Sequence, residues 1–362
     1  MTLVSDSPTH AMPAMQAPFP WMGGKRRVAS VVWQRFGDVR NYVEPFAGSL
    51  AVLLGRPSPP KIETVNDLDG MIANFWRALK MDPEAVAHWA DWPVNENDLH
   101  ARHSWLIAQK ETLVMRLEGD PDFFDAKIAG WWVWGLCLWI GGEFCSAQGP
   151  WRVVDEMLQN VGGGVKRKLV HLGDAGQGIH RKRVHLGDAG QGDDEQPEQP
   201  GSPGTGECGL LAWFEALAER LQNVRVCCGD WTRVCGPTPT HKQGLTGVFL
   251  DPPYSAEAGR NMNCYAEDSG TVAHDVRAWC IENGNNPKMR IALCGYAGEG
   301  HDVLVADHGW TAHAWKANGG YSCQGKGATR GKANAKREVI WFSPHCLPAE
   351  DAGASEGQLF ED

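Results

Sequence analysis

The chain has 362 residues, 43% of them hydrophobic, which suits one large domain carrying an insertion, or two domains. Its net charge of −10 excludes a uniformly basic surface, so any nucleic-acid contact must use a local basic face. Eleven cysteines without a C-x-x-C pair fit neither a zinc site nor a disulfide framework and read as reduced, buried thiols; no metal is expected.

Residues 1–17 are Ser, Pro, Met and Ala without periodicity and read as a flexible tail. No charged-then-apolar leader is visible. The most apolar run, 128–142, is interrupted by glycines and too short to span a bilayer. A soluble, cytoplasmic protein without a membrane partner is expected, and no obligatory protein partner is inferred.

Phe19-Pro20-Trp21-Met22-Gly23-Gly24-Lys25 places a ring and a cation beside two glycines that let a backbone approach a ligand. Val28, Val31 and Val32 then follow at helical spacing, so a simple turn before an amphipathic helix is the alternative. Asn41–Phe46 reads as a strand, Ala47-Gly48-Ser49 as a tight turn and Leu50–Leu54 as the start of a helix. Strand, Gly turn and helix open a Rossmann-like unit with helix N–H groups facing the ligand. Ile62–Val65 is the second strand. Asp67 falls about twenty residues after the Gly turn, where a carboxylate receives ribose hydroxyls. Asp69 is expected to cap the following helix, which carries Ile72, Phe75, Trp76 and Leu79.

From 81 to 207 the α/β rhythm stops. Residues 84–118 are helix-like, and 127–140 carry Trp131, Trp132, Trp134 and Trp139, a density that favours a buried core helix over a base-stacking platform. Within about 160–207, Val170-His-Leu-Gly-Asp-Ala-Gly-Gln-Gly178 recurs as 184–192. Each copy follows a basic cluster, Lys166-Arg167-Lys168 and Arg181-Lys182-Arg183. Two short Gly-rich copies cannot form a solenoid. The segment reads either as a tolerated loop duplication or as a flexible loop whose basic clusters meet nucleic-acid phosphates.

The pattern resumes with a helix at 210–221 and a strand at 224–228 that ends in Gly229-Asp230-Trp231. Gly247–Leu250 is a buried strand running into Asp251-Pro252-Pro253-Tyr254, an acid and a ring on a stiff backbone at the strand end. After a polar loop, Val272, Val276, Trp279 and Cys280 share a helix face, and Met289–Cys294 is a strand. His308–Ala317 and Glu338–Phe342 read as a closing antiparallel pair. The Gly-rich basic loop between them, with Lys326, Arg330 and Lys332, is placed to clamp phosphate if it lies at the ligand edge. Residues 346–362 form an acidic tail.

Asp251-Pro252-Pro253-Tyr254 resembles the catalytic motif of amino-methylating DNA methyltransferases. The Trp21 to Lys25 segment and Phe46-x-Gly48, with Leu50 where a second glycine would fall, resemble motifs of the Dam-like, D12-class adenine-specific DNA methyltransferase family. That resemblance covers roughly 19–80 and 210–342. It implies an α/β fold, a Rossmann-like class I S-adenosylmethionine-dependent methyltransferase sheet with a mainly helical insert. The implied catalytic domain is 18–80 and 208–345, with target recognition in 81–207. It implies S-adenosylmethionine as cofactor, held by Trp21, Lys25, Phe46, Gly48, Asp67, Asp230 and Asp251, and DNA as substrate. N6 of a flipped-out adenine is the implied acceptor; cytosine N4, RNA or an inactive DNA-binding scaffold are the alternatives.

Overall fold

The computed structural model describes residues 15–21, 24–139, 144–145, 151–154, 157–160, 209–253, 272–315 and 338–349. A short 3-10 turn, Arg26–Val28, leads into α1 (Ala29–Phe36) and β1 (Asn41–Glu44). Then come α2 (Ala51–Leu54), β2 (Ile62–Asp67), α3 (Gly70–Met81), α4 (Pro83–Ala90), α5 (Glu96–Gly119) and α6 (Ala126–Leu138). A separate antiparallel pair, β3 (Trp151–Val154) and β4 (Met157–Asn160), precedes α7 (Leu210–Leu221) and β5 (Val224–Cys228). The rest is β6 (Thr246–Leu250), α8 (Val272–Asn283), β7 (Met289–Tyr296), α9 (Asp302–His308), β8 (Thr311–Ala314) and β9 (Glu338–Phe342).

The main sheet has seven strands in the order β5-β2-β1-β6-β7-β9-β8. The first five are parallel, and β9 runs antiparallel to both its neighbours. All residues of β1, β6 and β9 are buried, as expected of strands covered on both faces. Alternate residues enter opposite cores. Tyr42, Phe249, Ala292 and Ile340 face the larger core with α1, α3 and α7. Val43, Val248, Leu250, Ile291, Leu293 and Trp341 face the smaller one with Val276 and Cys280 of α8 and Leu304 of α9. This is an α/β, Rossmann-like sheet.

The expected elements form with local corrections. The helical stretch at 84–118 is two helices. Pro83 at the first turn and the Asp82 side chain, accepting from Ala85 N, start α4, while Asn95 accepts from Asp98 N to start α5. His308 belongs to α9 rather than to a strand, because Gly309 in a left-handed conformation (φ 69°) ends that helix before β8 begins. Trp132 and Trp134 of α6 are buried, as a core helix requires.

The helices of the 81–207 region share the larger core with the sheet's own helices. Leu106, Leu113, Ala129 and Val133 join Phe75, Trp76 and Phe214 there. Asn74 of α3 pins the start of α6 through two bonds to the Asp125 backbone, 2.9 and 2.8 Å. The Arg102 guanidinium lies 4.9, 4.8 and 4.4 Å from the rings of Trp92, Trp131 and Trp134, which offsets part of the cost of burying it. At the chain's ends, Met15 and Ala17 pack on this core, Cys346 is buried, and Leu347 N donates to Arg35 O.

Candidate active site

Strand order reverses between β1 and β6, since β2 and β5 lie on one side and β7, β9 and β8 on the other. Ligands of open α/β sheets bind outside the carboxyl ends of the strands at such a point. A cleft with a cavity volume of about 210 Å³ opens there, lined by the ends of β1, β2, β5 and β6 and by Trp21, Gly24 and Lys25 of the N-terminal segment.

That segment is fastened by aromatic packing. Phe19 is buried against Phe75, Trp76 and Trp132 at 5.3, 5.6 and 5.2 Å between ring centres. Trp21 then lies on the loop after β1. At Gly48 (φ 44°) a Cβ would meet Trp21 Nε1 at 2.5 Å, so only glycine fits. Trp76 Nε1 donates to Gly48 O at 2.8 Å from beneath. Asn66 ties the loops together by donating to Pro45 O at 3.1 Å and to Gly229 O at 2.8 Å.

Leu50, at the position of the motif's absent second glycine, adopts the left-handed conformation a glycine takes freely (φ 54°, ψ 26°), and it is fully buried. Burial outweighs strain there. Leu50→Gly relieves about 1 kcal/mol of backbone strain. It forfeits about 2–5 kcal/mol of buried side chain. A net loss of about 1–4 kcal/mol is expected in urea denaturation; a more stable glycine variant would overturn this ranking.

Asp67 ends β2 with its carboxylate in the cleft. Oδ2 accepts from Gly48 N and Oδ1 from Asp69 N, both at 2.9 Å. Burial pushes its carboxyl up to about 7, against the lowering pull of the Gly48 N–H. Asp69 caps α3 by accepting from Met71 N at 2.8 Å, the role expected of it. Asp230 follows β5, where Oδ1 accepts from Thr232 N at 2.9 Å and from the Thr232 hydroxyl; it caps the 3-10 turn Trp231–Val234 and also lines the cleft. Phe46 and Trp231 stack at 6.1 Å and 27° on the cleft wall.

Asp251 stands at the end of β6. Lys25 Nζ reaches it at 2.9 Å, with the lysine side chain only 5% exposed. Pro252 is buried behind it and Pro253 lines the cleft. Sequence reasoning missed Glu44, a buried acid at the end of β1 that shares this floor. The Tyr42 hydroxyl donates to Glu44 Oε2 at 2.9 Å. Burial pushes the Glu44 carboxyl well above the usual range, and the nearby Asp251 carboxylate adds to this. An acid closing a buried strand just before the Gly turn was the available signal. Tyr254 and the basic residues Lys166, Arg167, Lys168, Arg181, Lys182, Arg183, Lys326, Arg330 and Lys332 lie outside the described residues.

The cleft therefore offers acids at four strand ends, a glycine-shaped loop and an aromatic wall. These suit a ligand with a hydroxyl-bearing sugar, a flat base and a positive centre. A search of curated proteins finds no match to the chain. A family model described as D12 class N6 adenine-specific DNA methyltransferase matches residues 21–106, a stretch that holds Trp21, Lys25, Phe46, Gly48 and Asp67 and ends before Asp230 and Asp251. Over residues 21–106 the chain thus matches the D12 class of N6 adenine-specific DNA methyltransferases, and the sheet those residues enter is of the Rossmann-like methyltransferase type.

Proposed function

We propose that the protein transfers a methyl group from S-adenosylmethionine to the N6 amine of an adenine flipped out of DNA. The observation that carries this reading is Asp251-Pro252-Pro253 at the C-terminal edge of β6, on the floor of the switch-point cleft. The amine of adenine is a poor nucleophile because its lone pair is delocalised into the ring. Asp251 and the Pro252 carbonyl each accept one amino hydrogen and pull the nitrogen toward tetrahedral geometry. The two prolines hold these acceptors in place, so little reorganisation is needed. S-adenosylmethionine supplies an already activated methyl on its sulfonium. Tyr254 stacks on the base, which must leave the duplex to reach the cleft.

In this reading Asp67 accepts the ribose hydroxyls, Phe46 and Trp231 flank the adenine ring, and Trp21, Gly48 and Asp230 complete the cofactor site. Residues 18–80 and 208–345 form the catalytic domain. Residues 81–207 form the target-recognition region, with the basic clusters at 166–168 and 181–183 and the loop holding Lys326, Arg330 and Lys332 on DNA phosphates. Among the described residues no helix is long and apolar enough to cross a membrane. The test is transfer of labelled methyl to DNA followed by analysis of the product nucleoside. N6-methyladenine is expected. N4-methylcytosine or transfer only to RNA would reassign the acceptor, and no transfer to any nucleic acid would overturn the reading.

Asp67→Ala is expected to weaken cofactor binding about tenfold to a hundredfold, the worth of hydrogen bonds to a charged acceptor. The parent's affinity should fall as pH drops through about 7, where Asp67 gains a proton and loses acceptor capacity; the alanine variant should lack that step. In the free protein the sign is opposite. A raised folded-state value gives stability that is present at low pH and lost as pH rises through about 7. Calorimetric titration across that range decides; unchanged affinity in the variant would remove Asp67 from the site.

A further inference from the structure

The family resemblance makes Lys25 a cofactor contact, yet the geometry points to a different task. Lys25 caps the turn Arg26–Val28, and its carbonyl accepts from Val28 N at 3.1 Å, so its backbone is fixed to the start of α1. From there its side chain is buried and ends 2.9 Å from Asp251 Oδ2. Burying an ammonium this deeply is costly unless an anion compensates. The surroundings of Asp251 are otherwise acidic. Glu44 of β1 lies close enough to feel its charge. Cys294 of β7 feels Asp251, Lys25, Glu338 of β9 and Glu44 together. Glu44 and Glu338 are both buried. Like charges crowded in this way disfavour one another's ionised forms.

Building on the proposed methyl transfer, we infer that Lys25 is a positioning residue for Asp251: its ammonium fixes the carboxylate at the end of β6 and balances its charge beside Glu44. Lys25 acts through Asp251 and not through the cofactor. A carboxylate that must accept a hydrogen from the target amine fails when it is turned away, and the ammonium 2.9 Å from its Oδ2 holds it in place.

The test compares the full-length parent with Lys25→Met and Lys25→Arg in single-turnover methyl transfer across pH, with cofactor affinity and thermal melting measured alongside. Lys25→Met is expected to lose about tenfold to a hundredfold in rate at neutral pH. The acid limb of its pH–rate profile should move upward, so that part of the loss is recovered in alkaline buffer. Its cofactor affinity should change by less than about threefold. Lys25→Arg, which keeps the charge, should restore most of the rate with the parent's profile. A merely structural lysine would lower the melting temperature without moving the profile. Loss of cofactor affinity with an unmoved profile would make Lys25 a cofactor contact and overturn the inference, as would an unchanged rate. If Lys25→Met does not melt cooperatively, Lys25→Arg decides: most of the parent's rate, with the parent's profile and unchanged affinity, supports the inference, and weakened affinity overturns it. A parent that transfers no methyl sinks the proposed function itself; an active parent with an unmoved variant sinks only the role of Lys25.

Discussion

Asp251→Asn is expected to slow single-turnover methyl transfer on the order of a hundredfold or more. It should leave DNA binding at fixed salt and most of the stability intact. The substitution preserves size and one acceptor oxygen but removes the charge, so it isolates the electrostatic part of the acceptor's work. Asp251→Ala removes the acceptor altogether and should be at least as slow. The loss falls on turnover because the amine's hydrogens are drawn most strongly in the transition state, while the other cleft contacts come from different strand ends. Some loss of cofactor affinity is expected, because Asp251 lines the same cleft as Asp67 and Gly48. The asparagine variant also leaves the Lys25 ammonium, now 2.9 Å from Asp251 Oδ2, facing a neutral amide. A modest fall in melting temperature therefore accompanies the kinetic effect. Labelled-methyl transfer with both variants, read beside DNA binding, is the measurement. Parent-like rates in both would remove Asp251 from the chemistry.

Much of the cleft could be read from local pattern. Asp251 follows a short apolar run and Asp67 closes a short β-branched strand, and the end of a parallel strand in an α/β rhythm is a ligand edge wherever the strand lies in the sheet. Gly48 was legible because a tight turn between strand and helix needs positive φ. Leu50 was not, because sequence preference alone argues against a left-handed leucine, and only its complete burial explains it. Glu44 escaped because a Glu in a strand ordinarily suggests solvent, and here a Tyr42 hydroxyl two residues earlier gives it a buried partner. The sharing of one core by α3, α6 and α7 was equally hidden. The break in α/β rhythm at 81 marks an insertion in sequence, but whether inserted helices pack apart or against the sheet depends on contacts between distant residues.

The largest stability effect is expected at Glu63, which no local pattern singled out. It sits in β2 with its side chain 1% exposed, between two guanidinium groups that are as deeply buried. Arg220 of α7 grips it with two bonds, 2.7 Å to Oε2 and 3.0 Å to Oε1, and Arg56 reaches Oε1 at 3.1 Å. Each arginine also donates to a backbone carbonyl, Arg56 to Val39 O at 2.7 Å and Arg220 to Leu53 O at 2.9 Å, so neither can swing out to water without breaking further bonds. Glu63→Gln keeps the volume but removes the single negative charge between two cations. It also replaces one acceptor oxygen with an NH₂ donor that faces guanidinium donors. Removing one partner of a buried ion pair costs about 3–5 kcal/mol; here Arg220 loses its carboxylate, and Arg56 keeps only the exposed Asp38 at 3.7 Å. A fall in melting temperature of roughly 5–10 °C is expected. The triad joins α7 and the turn after α2 to β2, and Glu63 pairs across the ladder with Tyr42, the donor to Glu44. Some loosening of the cleft floor should therefore follow, although cofactor affinity measured well below the new melt should persist. A melt within about 2 °C of the parent, corresponding to less than about 1 kcal/mol, would show that the arginines find other partners and that the triad does little to hold the sheet together.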